Sequence, residues 1–226
     1  MMKMSQYECE KVEKPFIEEL VKYGYIHYTG AQLDGERQQN HIILEKRFRS
    51  AIKRLNPWIS EGNIDKVVHK FNAVTTTDLW EANRQIFEWL FGEGFTIDQD
   101  LGSGKKGQTV RLFNFEDPTR TDNEYLVVNQ MTITNANGSI RPDILLYING
   151  LPLVIVECKS PKLQPEKQLP ECVKQFERYV ETNERAFFYN QLMIATSSDR
   201  ARVGTSYAKA QHYGLCQTLI RYIKML

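Results

Sequence analysis

The stretch Arg141-Pro142-Asp143-Ile144-Leu145-Leu146-Tyr147-Ile148-Asn149-Gly150-Leu151-Pro152-Leu153-Val154-Ile155-Val156-Glu157-Cys158-Lys159 decides how this chain is read. It contains two short apolar, β-rich runs, Asp143–Ile148 and Leu151–Val156, joined by Asn-Gly, a strong hairpin signal. Neither run alternates with polar residues, so both faces of each strand should be covered, as in an α/β core. Pro152 stands at the start of its run, where a missing N–H is tolerated. The two-residue period of a strand puts Glu157 and Lys159 on one face and Cys158 on the other. The hairpin folds Asp143 back towards the end of the second strand, so two carboxylates and one ammonium should converge at a sheet edge.

Mg²⁺ takes hard oxygen ligands and often only one or two protein carboxylates. Asp143 and Glu157 fit that requirement, with the main-chain carbonyl of Cys158 as a further oxygen. A metal held there would stabilise charge on a phosphate and acidify a bound water. Nearby carboxylates push the Lys159 pKa up, which favours water positioning and charge stabilisation over a strict general-base role. The plainer alternative is a core strand with charged ends, with Asp143 serving as a turn residue after Pro142.

The motif Pro142-Asp143 … Glu157-Cys158-Lys159 resembles the PD-(D/E)xK nuclease signature. The wider text is similar to the N-terminal nuclease region of the type I restriction enzyme R subunit (HsdR). The similar segments are Val127-Val128-Asn129-Gln130, Arg141-Pro142-Asp143-Ile144, Asn149 to Val154, Glu157-Cys158-Lys159-Ser160-Pro161, Gln175-Phe176-Glu177-Arg178-Tyr179, Tyr189-Asn190-Gln191 and Ala201 to Thr205, in order between about Glu13 and Thr205. The resemblance implies a restriction-endonuclease-like fold and Mg²⁺-dependent hydrolysis of double-stranded DNA, with Mn²⁺ able to substitute. Gln175 and Tyr179 match the QxxxY motif of the RecB-like branch; as an i,i+4 pair on a helix they share a face, which the resemblance places towards the metal. An acidic residue on the first helix often completes such sites. Glu13 is the best match, and Glu18 and Glu19 compete with it. In the R subunits, ATP acts through a motor domain, and recognition and methylation belong to separate S and M subunits. No motor motif is present, so the chain is expected to be a piece of a longer polypeptide or a truncated relative.

The composition fits a cytoplasmic domain with one large core: 226 residues, 42% hydrophobic, net charge +1. No apolar run approaches membrane-spanning length, and the first fourteen residues lack a secretory signal pattern. Cys9, Cys158, Cys172 and Cys216 are scattered, as are His27, His41, His69 and His212; neither set has zinc-site spacing, and reduced thiols are expected. Near-neutral charge confines any DNA affinity to local patches. Arg141, Arg200 and Arg202 are candidate DNA contacts, and Lys46-Arg47-Phe48-Arg49 with Lys53-Arg54 is either a further patch or a solvated helix face. Gly102 to Thr109 superficially resembles a phosphate-binding loop, but Gln108 stands where the lysine belongs; a hairpin tip is the better reading.

The expected architecture is a mixed central sheet flanked by helices. Residues 1–92 are read as an N-terminal helical segment packed on a core of 93–226. Helices are expected at Glu10–Tyr23, His41–Leu55, Ile64–Asn72, Thr77–Phe91, Pro165–Asn183 and Tyr207–Met225. Strands are expected at Phe95–Leu101, Thr109–Phe115, Glu124–Thr134, Asp143–Ile148, Leu153–Cys158 and Leu192–Thr196. Two other functions stay open beside a type I cleavage domain: a non-catalytic DNA- or partner-binding module on the same fold, and a stand-alone RecB-like nuclease.

Overall fold

A computed structural model describes residues 4–216 except Thr77, Glu93, Ser103, Phe115, 117–121 and 198–199. Its centre is a seven-stranded mixed sheet in the order β1-β4-β7-β8-β9-β10-β11. The strands are β1 (Ile26–Thr29), β4 (Tyr125–Asn129), β7 (Ile144–Ile148), β8 (Leu151–Cys158), β9 (Leu192–Ser197), β10 (Arg200–Gly204) and β11 (Gly214–Cys216). β1–β4 and β8–β9 run parallel and the other neighbours antiparallel. Two small hairpins complete the β-structure: β2–β3 (Phe95–Asp100, Lys105–Val110) and β5–β6 (Ile133–Asn135, Gly138–Ile140).

Every residue of β7 and β8 is buried, as their unbroken apolar text requires. The turn between them has Asn149 at φ 52° and Gly150 at φ 82°, both left-handed, the pattern of a type I′ turn matched to strand twist. The Asn149 side chain is fully buried and saturated: its amide donates to Leu112 O and Asn123 Oδ1, and its Oδ1 accepts from Glu124 N. A Cβ on Gly150 would lie 2.7 Å from Leu44 O and from Phe48 N, so glycine is required by space as well as by φ. The pairing slips between Leu146 and Tyr147, where Pro152 faces Tyr147; a bulge accommodates a residue that cannot donate to the ladder.

The helices are α1 (Met4–Glu8), α2 (Lys14–Lys22), α3 (Gly30–Leu33), α4 (Glu45–Leu55), α5 (Glu61–Asn72), α6 (Leu79–Phe91) and α7 (Pro165–Asn183). Ser60 and Asp78 cap α5 and α6, accepting from Asn63 N and Glu81 N. Leu20, Phe48, Ile52, Phe71 and Ile86 of the early helices share one continuous hydrophobic core with the sheet. Among the described residues no helix is long and apolar enough to cross a membrane.

Several expected elements differ, each for a local reason. The first helix is broken into α1, a π-helical turn at Cys9–Glu13, and α2. The helix expected from His41 begins only at Glu45, because Leu44 N is tied to Gly150 O at the hairpin tip. The strand expected over 124–134 ends at Asn129, since Gln130 adopts φ 54°, a conformation that costs a non-glycine residue roughly 1–2 kcal/mol. β1, β6, β10 and β11 are strands too short for their periodicity to show. The helix expected over Tyr207–Met225 is absent from its described half: Ala210–His212 form a 3-10 turn and Gly214–Cys216 the edge strand β11. There Tyr213 packs its ring over Gly204, where a Cβ would meet it at 2.7 Å, and stacks with Phe176. The remainder of that helix, residues 217–226, lies outside the described residues.

Candidate active site

The register of the central hairpin sets the site. Ile144 pairs with Val156, so Asp143, one step earlier, comes alongside Glu157. The Asp143 carboxylate is held at both oxygens: Oδ2 accepts from Cys158 N at 2.8 Å and Oδ1 from Gln130 Nε2 at 3.1 Å. Glu157 is only 3% exposed. Its Oε1 accepts from Lys159 Nζ at 2.8 Å, while its Oε2 is buried without a hydrogen-bond partner. The Lys159 backbone N–H donates to Thr196 O, fixing the end of β8 against β9.

Glu13, also 3% exposed, reaches the same place from the π-helical turn. Its Oε1 accepts from Asn129 Nδ2 at 2.7 Å and its Oε2 from Gln130 Nε2 at 3.0 Å. A single π-turn within a helix is common where a side chain must be re-aimed at a functional site. Of the three first-helix candidates, Glu13 is therefore the one placed at the site; Glu18 is exposed and Glu19 pairs with Lys22 on the surface.

Burial pushes the Asp143 and Glu13 carboxyls up. Burial first, and the Asp143 charge second, push Glu157 up to about 8. For Lys159, burial works against the charge, but the Glu157 carboxylate outweighs it and the net shift is upward. The group formed by Asp143, Glu157 and Lys159 holds its protons tightly, because buried negative charge there is undercompensated.

The QxxxY pair sits on α7, over the sheet face that bears Glu157. Tyr179 is buried and its hydroxyl donates to Arg141 O at 2.9 Å, bracing the segment that delivers Asp143. Gln175 is half-buried and accepts from Arg178 on its own helix. Arg141 is exposed beside the carboxylates. Arg200 and Arg202 are exposed on β10 and line a cleft of about 390 Å³ with Gln168, Cys172 and Ser197. Glu157 pairs with Ala195, and Ala195 with Arg202. Arg202 thus lies on the face of Glu157, two strand spacings or roughly 10 Å away. The α4 cations are engaged within the chain: Arg47 with Glu36 and Glu124, Arg49 with Asp65, Lys53 with Glu61, and Arg54 with Asp122 O and Asn149. That leaves little of the helix as a free basic patch.

Sequence reasoning quoted Asn129 and Gln130 within a family-like segment but gave them no role, and it did not single out Glu8. Glu8 accepts from Ser160 N at 2.8 Å, laying α1 against the end of β8. Asn129 ends β4 and Gln130 follows it; the family-like segment they belong to marks the place, but a left-handed glutamine has no sequence signature that would reveal its task.

Among the described residues no three His, Cys, Asp or Glu side chains form a ready-made metal cluster. The donors that do converge are two carboxylates on a hairpin, one of them with a buried oxygen lacking any partner. That donor set suits a hard divalent cation that keeps several waters, and the Glu157 Oε2 atom is the specific misfit a cation would relieve.

Fold and site together define a restriction-endonuclease-like α/β domain. Residues 6–212 match the family model described as the type I restriction enzyme R protein N terminus. The chain is 33% identical over 173 residues to the type I restriction enzyme HindI endonuclease subunit of Haemophilus influenzae, covering 76% of this chain and 16% of that protein. Two Methanocaldococcus jannaschii proteins provisionally named type I restriction enzyme endonuclease subunits also match. MjaIXP is 34% identical over 158 residues, 67% of this chain and 15% of its own length; MjaVIIIP is 25% identical over 191 residues, 83% and 18%. The chain belongs to the type I restriction enzyme R protein N-terminal family. It spans less than one fifth of the length of these relatives.

Proposed function

We propose that this chain is the DNA-cleaving part of a type I restriction enzyme R subunit and hydrolyses phosphodiester bonds with a divalent cation, Mg²⁺ or Mn²⁺, at Asp143 and Glu157. The observation that carries this reading is the buried, unpartnered Glu157 Oε2 beside Asp143, with Lys159 Nζ 2.8 Å from the other Glu157 oxygen. Asp143, Glu157 and the Cys158 main-chain carbonyl would hold the cation, with Glu13 as a further carboxylate. A cation so held would supply charge stabilisation at the scissile phosphate and a more acidic water.

The chain's own residues supply orientation and charge. Cys158 N and Gln130 hold the Asp143 carboxylate in one orientation. Lys159, protonated and tethered to Glu157, donates to the attacking water and to the phosphoryl oxygens as negative charge develops. Its raised pKa suits a donor better than a base. Tyr179 braces the Arg141–Asp143 segment from α7. Arg141, Arg200 and Arg202 contact phosphates and so position the duplex without reading its sequence. A near-neutral chain is a weak autonomous binder. We therefore assign delivery of double-stranded DNA to the ATP-driven motor of the full-length subunit, and recognition to the M and S subunits, in the cytoplasm.

The test is cleavage by the assembled enzyme carrying Asp143→Ala, Glu157→Ala or Lys159→Ala. Each should lose at least about a hundredfold, the usual scale for removing one charge-stabilising group. Wild-type cleavage by all three would overturn the assignment. Absence of Mg²⁺ or Mn²⁺ binding by calorimetry would instead favour a non-catalytic module. ATP-independent cutting at DNA ends by this chain alone would favour a stand-alone nuclease.

A further inference from the structure

Gln130 is placed where one amide meets two acids from distant parts of the chain. Its Nε2 lies 3.0 Å from Glu13 Oε2 and 3.1 Å from Asp143 Oδ1, so each amide hydrogen serves a different carboxylate. Its backbone N–H donates to Asp143 O at 3.0 Å, so the same residue grips both ends of the aspartate. It does this from φ 54°, a conformation that favours glycine or asparagine. A side chain retained in a strained conformation while making three hydrogen bonds to one acidic pair suggests that its position matters more than local backbone comfort. Asn129 adds a fourth bond, from Nδ2 to Glu13 Oε1, and its own Oδ1 lies 2.9 Å from His27 Nε2 on β1.

The geometry points to Gln130 as a positioning residue that clamps Glu13 of the N-terminal segment to Asp143 of the hairpin, assembling the cation site before the cation arrives. This rests on the reading of Asp143 and Glu157 as cation ligands. The physical need is plain. Glu13 and Asp143 raise each other's energy when both are ionised, and nothing in β-sheet hydrogen bonding links the π-helical turn to β7. A shared neutral donor is the one kind of group that can hold two carboxylates together without neutralising them. It leaves their remaining lone pairs available for a cation. A lysine or arginine there would draw them together too, but would compete with the cation for their charge.

The test uses this chain and Mn²⁺ titrated by calorimetry, with thermal unfolding measured alongside. Gln130→Gly removes the amide and suits the left-handed backbone, so relief of strain offsets the lost hydrogen bonds and its melting temperature should stay close to wild type's, while Mn²⁺ affinity falls roughly 10- to 100-fold, as is usual when the hydrogen-bond partner of a metal ligand is lost. Glu13→Gln should weaken binding as well, and adding Gln130→Gly to it should cost less than Gln130→Gly alone, because the clamp then has only one charged acid to hold. In the assembled enzyme, assayed well below the variant's melting temperature so that stabilisation by the cation plays no part, the Gln130→Gly cleavage defect should shrink as Mn²⁺ is raised. Asp143→Asn is the control for the underlying reading and should abolish binding. If Asp143→Asn abolishes binding and Gln130→Gly binds like wild type, the clamp is wrong and the site stands. If Asp143→Asn binds like wild type, or the wild type binds no Mn²⁺, the site reading fails and the clamp with it.

Discussion

Replacing Glu157 by glutamine should make the protein more stable at neutral and alkaline pH while abolishing its activity. Glu157 is buried and its carboxyl is raised from an ordinary 4.5 to about 8. Between those two values the folded chain binds a proton that the unfolded chain releases. The stability this proton confers is fully present below pH 4.5 and is lost as pH rises through 8. In full the shift corresponds to about 5 kcal/mol above pH 9, and to about 3 kcal/mol at pH 7. Glutamine has nearly the same shape and no charge to desolvate, so it recovers this loss. Against that stands the lost ion pair with Lys159, whose side chain keeps 17% of its exposure and can still bond the glutamine oxygen and feel Asp143. That offset is about 1–2 kcal/mol. The net gain is about 1–2 kcal/mol at pH 7 and about 2–3 kcal/mol at pH 8, roughly 2–8 °C and 4–12 °C for a chain of this size. The assay is thermal unfolding of wild type and Glu157→Gln in chelator from pH 5 to 9. The variant should melt level with or slightly below wild type near pH 5, and its advantage should appear and grow as pH rises. Added Mn²⁺ should shrink it, since the cation stabilises the wild type preferentially. A difference that does not change with pH, or a variant less stable than wild type at pH 8.5, refutes the reasoning.

Cation binding must expel the proton held by Glu157. Mn²⁺ affinity should therefore rise between pH 6 and 8, by up to about tenfold per unit, and calorimetry in two buffers of different ionisation heat should detect proton release; none would contradict the raised carboxyl. Gly150→Ala places a methyl 2.7 Å from two backbone atoms at φ 82°, and should destabilise by about 3 kcal/mol. A melting temperature within 2 °C of wild type, where roughly 6–12 °C is expected, would show that the hairpin tip yields. Tyr179→Phe leaves the Arg141 carbonyl without its donor. It should cost about 1 kcal/mol in unfolding experiments and lower cleavage by the assembled enzyme about tenfold, whereas unchanged cleavage would confine Tyr179 to packing.

The central hairpin was legible because everything about it is local. Two apolar runs with no polar alternation, an Asn-Gly pair and a two-residue period are enough to bring Asp143, Glu157 and Lys159 together, though the structure puts them at the end of two central strands and not at a sheet edge, because β4 and β9 flank the hairpin on both sides. Helix α7 was legible to its ends, since Pro165 opens it and its apolar face is long. β1 and β10–β11 were not, because three to five residues at a sheet edge carry too little periodicity, and β1 becomes a strand only by pairing in parallel with β4 across a hundred residues. The broken first helix was hidden for a related reason. The π-helical turn ends at Glu13, whose carboxylate bonds Asn129 and Gln130 more than a hundred residues away, and such long-range partners leave no trace in local pattern.

The sequence by itself therefore determined the chemistry available: which acids, which ammonium, and their order along a strand. Only the tertiary structure decided which carboxylate of the first helix joins them, that an amide in a strained backbone bonds it there, and that burial beside Asp143 raises the Glu157 carboxyl. Those outcomes depend on distance and dielectric between residues far apart in the chain, and neither quantity is written in local pattern.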